Sequence, residues 1–354
     1  MSRLRAGIVG TGFIATKKHI PAFASLEGAD LVAVADVDEK AAQKVAAEHG
    51  IPSAYGSVTE MLERERLDLV DVCTPPRTHA EVAIEAMKNG SHAMIEKPMA
   101  TSVEDCDEIL RVADAQDAMV CVAHSDLFYP PFMRARKLAA AGAIGEFKGM
   151  RIFLSTPTSY MTSKEDHWAH KLPGGVIGES GPHVVYMTLA FINPVDEVQA
   201  RGYKLLPDYP WSRFDDYRLE LAGEQGVSSI TSVYTSDEWA GEVEIWGTRG
   251  LLKLDLELMS MVRQDRKDLG RFSVARSGLK GAAGTVADMA KTALAVLAKR
   301  YRNTHEILLQ GFVDAIREDK PIPVSGEEGR EAVRVMDLIA AQLDSEAPGS
   351  GGRS

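Results

Sequence analysis

The chain is poor in cysteine and has no long apolar run, and each shortage closes off a class of protein. Its three cysteines in 354 residues, Cys73, Cys106 and Cys121, show neither CxxC spacing nor a pairing pattern. A disulfide framework and a cysteine metal knuckle are therefore excluded. All three sit in apolar or amphipathic stretches and read as small buried side chains of a reducing compartment. No apolar stretch approaches the roughly 18–20 residues of a membrane-spanning helix. Basic charge is in deficit too: 40 lysines and arginines face 51 aspartates and glutamates, a formal net charge of -11. A non-specific nucleic-acid binder needs a basic face, and this balance argues against one. The first residues run straight into a strand pattern with no leader sequence, so a cytoplasmic protein is expected.

What is present is an ordinary globular composition, 45% hydrophobic and 26% charged, with length for two domains. Residues 6–9 form a buried-strand pattern that opens at once into Gly10-Thr11-Gly12-Phe13-Ile14-Ala15. GxGxxA between a strand and a helix is the dinucleotide fingerprint. Gly10 permits the tight turn, Gly12 lets the backbone approach a pyrophosphate, and Ala15 allows close helix–sheet packing. Gly10, Gly12, Phe13 and Ile14 are the expected loop contacts of the cofactor. A second strand over 31–35 ends in Asp36, 24 residues past Gly12, placed to bind ribose hydroxyls. A carboxylate there repels a 2′-phosphate and no arginine follows it, so NAD is expected over NADP, with Lys40 the one nearby cation.

Strands and helices go on alternating. A strand over 69–73 leads into Thr74-Pro75-Pro76-Arg77-Thr78-His79, and a helix follows over about 80–89, with Thr78 as its expected cap. Another strand delivers Glu96, Lys97 and Pro98 at its carboxyl end, the edge where open α/β sheets bind ligands. Six strands are complete by residue 123. Beyond it, strand patterns over 147–154, 198–205, 217–221, 227–234, 242–246 and 251–256 alternate apolar and polar residues, as half-exposed antiparallel strands do. The expected architecture is an α/β Rossmann domain (1–123) followed by an α+β domain on an open, mostly antiparallel sheet (124–345), with a disordered tail (346–354). Residues 261–302 read as a basic loop and then an amphipathic helix over 285–301, suited to packing on the domain or a second subunit and, less simply, to a membrane surface.

GxGxxA, Cys-Thr-Pro-Pro-x-x-His and Glu-Lys-Pro at these separations resemble the Gfo/Idh/MocA oxidoreductases. The resemblance runs over essentially the whole chain. It implies that Thr74, Pro75, His79, Glu96 and Lys97 border the nicotinamide cofactor, and that the second domain makes oligomer contacts, giving a homodimer or homotetramer. It also points to 172–183, where the family carries Gly-Gly and then an Asp four residues before a His. Here Glu179 holds the Asp position and His183 the His position. Four-residue spacing puts both on one helix face, and Pro182 suggests that the helix starts there, leaving His183 at its positive end. Many relatives carry Asn-x-Arg-Phe after the sixth strand; this chain has His124-Ser125-Asp126-Leu127-Phe128, so an anionic group is not expected at that place.

The implied activity is an NAD-dependent dehydrogenase of a sugar, polyol or sugar derivative. Lys97 and His183 are both candidates for the proton acceptor, with Glu96 and Glu179 as their orienting partners. Tyr160, Trp168 and His170 are candidate substrate contacts, Trp168 by stacking on a sugar. His167-x-x-His170 lacks a third ligand at supporting spacing, so no metal is expected. Two rivals fit the same motifs: a glycosidase that recycles bound NAD, and a sensor without catalysis.

Overall fold

The computed structural model describes residues 2–264 and 268–345, so the expected tail over 346–354 lies outside the described residues. The chain divides into two compact units, Met1–Phe128 with Arg302–Arg334, and Tyr129–Tyr301 with the chain from Val335 onward. The sequence offered one boundary at 123/124; in the structure the chain returns, and 302–334 belong to the first unit.

In the first unit β1 (Leu4–Val9) leads through the glycine loop into a wide π turn, Ala15–His19, and a short helix, α1 (Ile20–Phe23). Then follow β2 (Ala29–Ala35), α2 (Glu39–His49), β3 (Ser53–Tyr55), α3 (Val58–Arg64), β4 (Leu69–Val72), α4 (His79–Lys88), β5 (His92–Ile95), α5 (Val103–Ala115) and β6 (Val120–Val122). All strand pairs are parallel, in the order β3-β2-β1-β4-β5-β6. That is the doubly wound dinucleotide-binding order. Helix starts follow local chemistry: Asp38 caps α2 through the N–H groups of Lys40 and Ala41, and Ser102 caps α5 through Asp105. Such side-chain oxygens satisfy N–H groups that the helix leaves without acceptors. The expected Thr78 cap is not made. Its hydroxyl donates back to the Pro75 carbonyl instead, an ST-type bond that competes with capping.

The second unit opens with α6 (Pro130–Ala140) and β7 (Phe147–Ser155), then α7 (Ile177–Leu189). Strands β8 (Glu197–Tyr203), β9 (Asp216–Gly223), β10 (Gly226–Val233), β11 (Ala240–Gly247), β12 (Gly250–Asp255) and β13 (Ser260–Gln264) complete one sheet, ordered β13-β12-β11-β7-β10-β9-β8. The sheet is antiparallel except for β7 against β10. The basic loop expected from 261 begins instead as a strand, β13, whose polar end pairs with β12. The amphipathic helix expected from 285 is α8 (Arg271–Leu297), fourteen residues longer at its start. Next comes α9 (Thr304–Glu318), opened by an Asn303–Glu306 capping box. The final helix, α10 (Gly326–Ser345), ends the described chain. Just before α10, Val324 and Ser325 bridge to β6, which covers an otherwise exposed sheet edge. The three cysteines are reduced and buried.

Candidate active site

The carboxyl edge of the first unit's sheet collects the motif residues. Gly10 has φ +91°, and a Cβ there would lie 2.7 Å from the Cys73 carbonyl oxygen, so only glycine fits this turn. Gly12 is exposed, and a Cβ there would meet nothing within 4 Å. Phe13 is largely exposed beside it, and Ile14 is half-buried. Asp36 ends β2 with its carboxylate tied down: Oδ2 accepts from the Thr11 N–H (2.7 Å) and hydroxyl (2.9 Å), and Oδ1 from the Asp38 N–H (3.0 Å). At the end of β4, Pro75 is exposed, and Thr74 Oγ1 is buried without a hydrogen-bond partner. A buried hydroxyl in that state calls for a ligand or water. An open glycine, a fixed carboxylate and an orphaned hydroxyl on one edge fit a dinucleotide.

His79 is buried rather than open to that edge. Its Nδ1 faces the Pro98 carbonyl (2.9 Å) and its Nε2 the Thr74 carbonyl (2.8 Å). It therefore ties the loop after β4 to the loop after β5. Burial draws its pKa down against the opposing pull of those carbonyls.

Beneath Lys97 lies a buried charged network that the sequence reading missed. His19 is fully buried, with Nδ1 2.7 Å from Asp71 Oδ2 and Nε2 2.8 Å from Glu96 Oε1. His305 approaches the same Glu96 oxygen at 3.8 Å and meets His19 edge-on, ring centroids 5.2 Å apart. The other Glu96 oxygen accepts the backbone N–H of Lys97 at 2.8 Å. Burial alone would lower the His19 pKa, but the Asp71 carboxylate lifts it well above the ordinary value. Burial alone would raise that of Glu96, but the bonds from His19 and His305 hold it well below. Burial, reinforced by Asp71, pushes the Cys73 thiol up to about 12, so it stays protonated. An imidazolium clamped between two carboxylates thus holds the backbone of half-buried Lys97. Among the described residues, His19–Glu96–His305 and His19–Asp71–Cys73 have the composition of metal shells. In the present geometry both His19 nitrogens are used in carboxylate hydrogen bonds. The signal was available: Asp71 in the apolar run Leu69-Val70-Asp71-Val72 requires a buried cation.

In the second unit α7 starts at Ile177, five residues before the expected start at Pro182. Pro182 lies inside the helix, where it lacks an N–H for the Gly178 carbonyl. Gly178 and Gly181 let the helix fit its neighbours: a Cβ would lie 2.6 Å from Leu172 at the first and 2.9 Å from Met336 at the second. His183 is therefore in the second turn, and the argument from the helix's positive end falls, because that field fades within the first turn. Glu179 and His183 are one turn apart, both half-buried. Tyr186, buried, sets its hydroxyl 2.7 Å from His183 Nδ1. When Nδ1–H donates to that hydroxyl, Nε2 is the proton acceptor.

Before α7, the loop carries an aromatic cluster. Exposed Tyr160 meets Trp239 edge-on (5.2 Å), and His167 stacks on exposed Trp168 (5.8 Å). His170 Nε2 bonds the Lys164 carbonyl at 3.1 Å, and its Nδ1 is buried without a partner. Burial, with His170 and Lys164 nearby, lowers the His167 pKa. Trp239 was not foreseen; nothing in its sequence surroundings sets it apart.

Residues 4–124 match the family described as "Oxidoreductase family, NAD-binding Rossmann fold", and 132–253 match the "GFO/IDH/MocA C-terminal domain". The chain belongs to the Gfo/Idh/MocA oxidoreductases. Within this family it is 24% identical to a myo-inositol 2-dehydrogenase of Thermotoga maritima over 93% of each chain. It is 26% identical to a scyllo-inositol 2-dehydrogenase (NADP(+)) of Bacillus subtilis, covering 57% of this chain and 62% of that one. The solved structure of the WlbA dehydrogenase of Bordetella pertussis in complex with NADH and UDP-GlcNAcA superposes with a TM-score of 0.77 at 21% identity. That match covers 97% of this chain and 96% of the other. At that identity the likeness carries the fold alone. Among the described residues no helix is long and apolar enough to cross a membrane.

Proposed function

We propose that this oxidoreductase is an NAD-dependent dehydrogenase that oxidises a carbinol carbon of a sugar, polyol or sugar derivative. The observation that carries the reading is Lys97 at the carboxyl end of β5, its backbone held by Glu96 in a buried ionic network. A lysine whose backbone is held at the ligand-binding edge of a dinucleotide fold suits the proton transfer that alcohol oxidation needs. The nicotinamide, when bound, takes the hydride from the substrate carbon.

The chain's own residues do the rest. Gly10 and Gly12 give the diphosphate access to backbone N–H groups. Asp36 accepts from the ribose hydroxyls and disfavours a 2′-phosphate, which supports NAD over NADP even though one relative is named for NADP(+). The substrate hydroxyl loses its proton to Lys97 or to His183, the latter aligned by Tyr186. Trp168, Tyr160 and His170 support a polyhydroxylated substrate, since exposed aromatic faces stack on the C–H faces of sugar rings. The buried, reduced cysteines support a cytoplasmic setting. The alternating strands of the second sheet support a homodimer or homotetramer through its outer face.

The test is Lys97→Met and His183→Ala, with turnover and NAD affinity measured for each. Turnover is expected to fall by about two to four orders of magnitude in the variant lacking the base, with NAD affinity nearly unchanged. Near-normal kcat in both variants would sink the mechanism.

A further inference from the structure

α8 has an outward face that the dehydrogenase reading leaves unused. Its inner face is the row Ser277, Gly281, Gly284, Asp288, Thr292 and Ala295, and only Asp288 is buried. Asp288 anchors the helix: Arg134 grips both carboxylate oxygens at 2.9 Å, and one of them also accepts the Met261 N–H at 3.1 Å. On the opposite side Phe272, Leu279, Val286, Leu294 and Leu297 form an apolar stripe at helical spacing. Phe272 is 93% exposed, Leu279 73% and Leu297 80%. A contiguous exposed apolar stripe of this length marks an interaction surface.

Charge selects the occupant. Residues 269–302 hold seven lysines and arginines and one acid, in a chain whose net charge is -11. That one acid, Asp288, is held by Arg134 at 2.9 Å and also meets Lys291 at 3.5 Å. Arg276, Lys280 and Lys291 are exposed and flank the stripe. A second copy laying the same helix against it would set these cations against their own equivalents, while the one acid of 269–302, Asp288, lies on the inner face. An apolar stripe bordered by cations is the pattern of a helix that lies in a membrane interface, where anionic headgroups meet the cations and acyl chains the stripe.

We propose that α8 docks this oxidoreductase on an anionic lipid surface, the helix lying in the interface with Phe272, Leu279, Val286, Leu294 and Leu297 inserted. Binding is peripheral and reversible, and it weakens with salt.

Vesicle flotation of the full chain tests it, using phosphatidylcholine vesicles with and without phosphatidylglycerol. The wild type is expected to float with the anionic vesicles, less so at high salt, and to stay behind with neutral ones. Lys280→Gln with Lys291→Gln is expected to lower the partition coefficient roughly tenfold or more. Phe272→Ser with Leu279→Ser and Leu297→Ser, all at exposed positions, is expected to abolish flotation with the far-UV circular dichroism unchanged. Failure to float with anionic vesicles, or flotation indifferent to both sets of substitutions, overturns the proposal. Light scattering separates the alternative: an oligomer that the serine variant dissociates, without vesicle binding, would assign the stripe to a second copy.

Discussion

Replacing His19 by leucine removes the cation that lets two carboxylates stay ionised inside the first unit. Asp71 is fully buried and Glu96 nearly so, and each accepts a short hydrogen bond from a different nitrogen of the same ring. Breaking a buried ion pair by deleting one partner costs about 3–5 kcal/mol, because the remaining charge is stranded. Here two charges are stranded, although each can take up a proton to limit the loss. We expect His19→Leu to cost at least about 3 kcal/mol, a large share of the roughly 5–15 kcal/mol that holds a domain together. The assay is urea unfolding followed by far-UV circular dichroism. Adding Asp71→Asn and Glu96→Gln is expected to recover part of the loss, since neutral amides need no counter-charge. The sign of the pH dependence follows from the shifts. His19 has its folded pKa raised above the ordinary 6.5, so its contribution is complete below that value and is lost as pH rises through the raised one. Glu96 has its folded pKa depressed below the ordinary 4.5, so its contribution is present above that value and is lost as pH falls through the depressed one. The wild type is therefore expected to lose stability from about pH 6.5 upward with a slope of up to about 1.4 kcal/mol per pH unit, which the triple variant lacks. A His19→Leu cost under about 1 kcal/mol, or the same slope in the triple variant, would refute the reasoning.

Three further outcomes are expected. Gly10→Ala should destabilise the first unit by more than about 1 kcal/mol, because it combines a left-handed φ with a backbone clash, whereas Gly12→Ala should keep the melting temperature and weaken NAD binding; thermal melts and NAD titrations separate the two. NAD should bind roughly tenfold or more tighter than NADP, and Asp36→Ser should shrink that ratio by relieving like-charge repulsion, as paired titrations will show. Tyr186→Phe should lower kcat more than it changes KM and displace the pH–rate profile, because the His183 ring loses the partner that fixes its tautomer; an unchanged profile would leave Tyr186 a packing residue.

Much of the fold could be read from local pattern. GxGxxA with Asp36 locates the first two strands, and apolar runs ending in Thr74 and Glu96 locate the ligand edge, since each signal lies within a few residues of the strand it marks. The network around His19 could not be read that way. It joins residues 19, 71, 96 and 305, which only the doubly wound topology and the return of 302–334 bring together. Pro182 misled the reading of α7 because proline usually opens a helix, and here the cost is taken inside one. Glycines 278, 281 and 284, poor helix formers, likewise concealed the first half of α8, a helix that Asp288 ties to Arg134.

The most direct test of the central claim is the appearance of NADH absorbance when the purified protein meets NAD and a panel of sugars, polyols and sugar derivatives. The account predicts NADH formation with at least one of them, abolished in the Lys97→Met variant. A silent panel with NAD found tightly bound, or free sugar released with no net NADH, would contradict a dehydrogenase and favour a sensor or a glycosidase that recycles its cofactor.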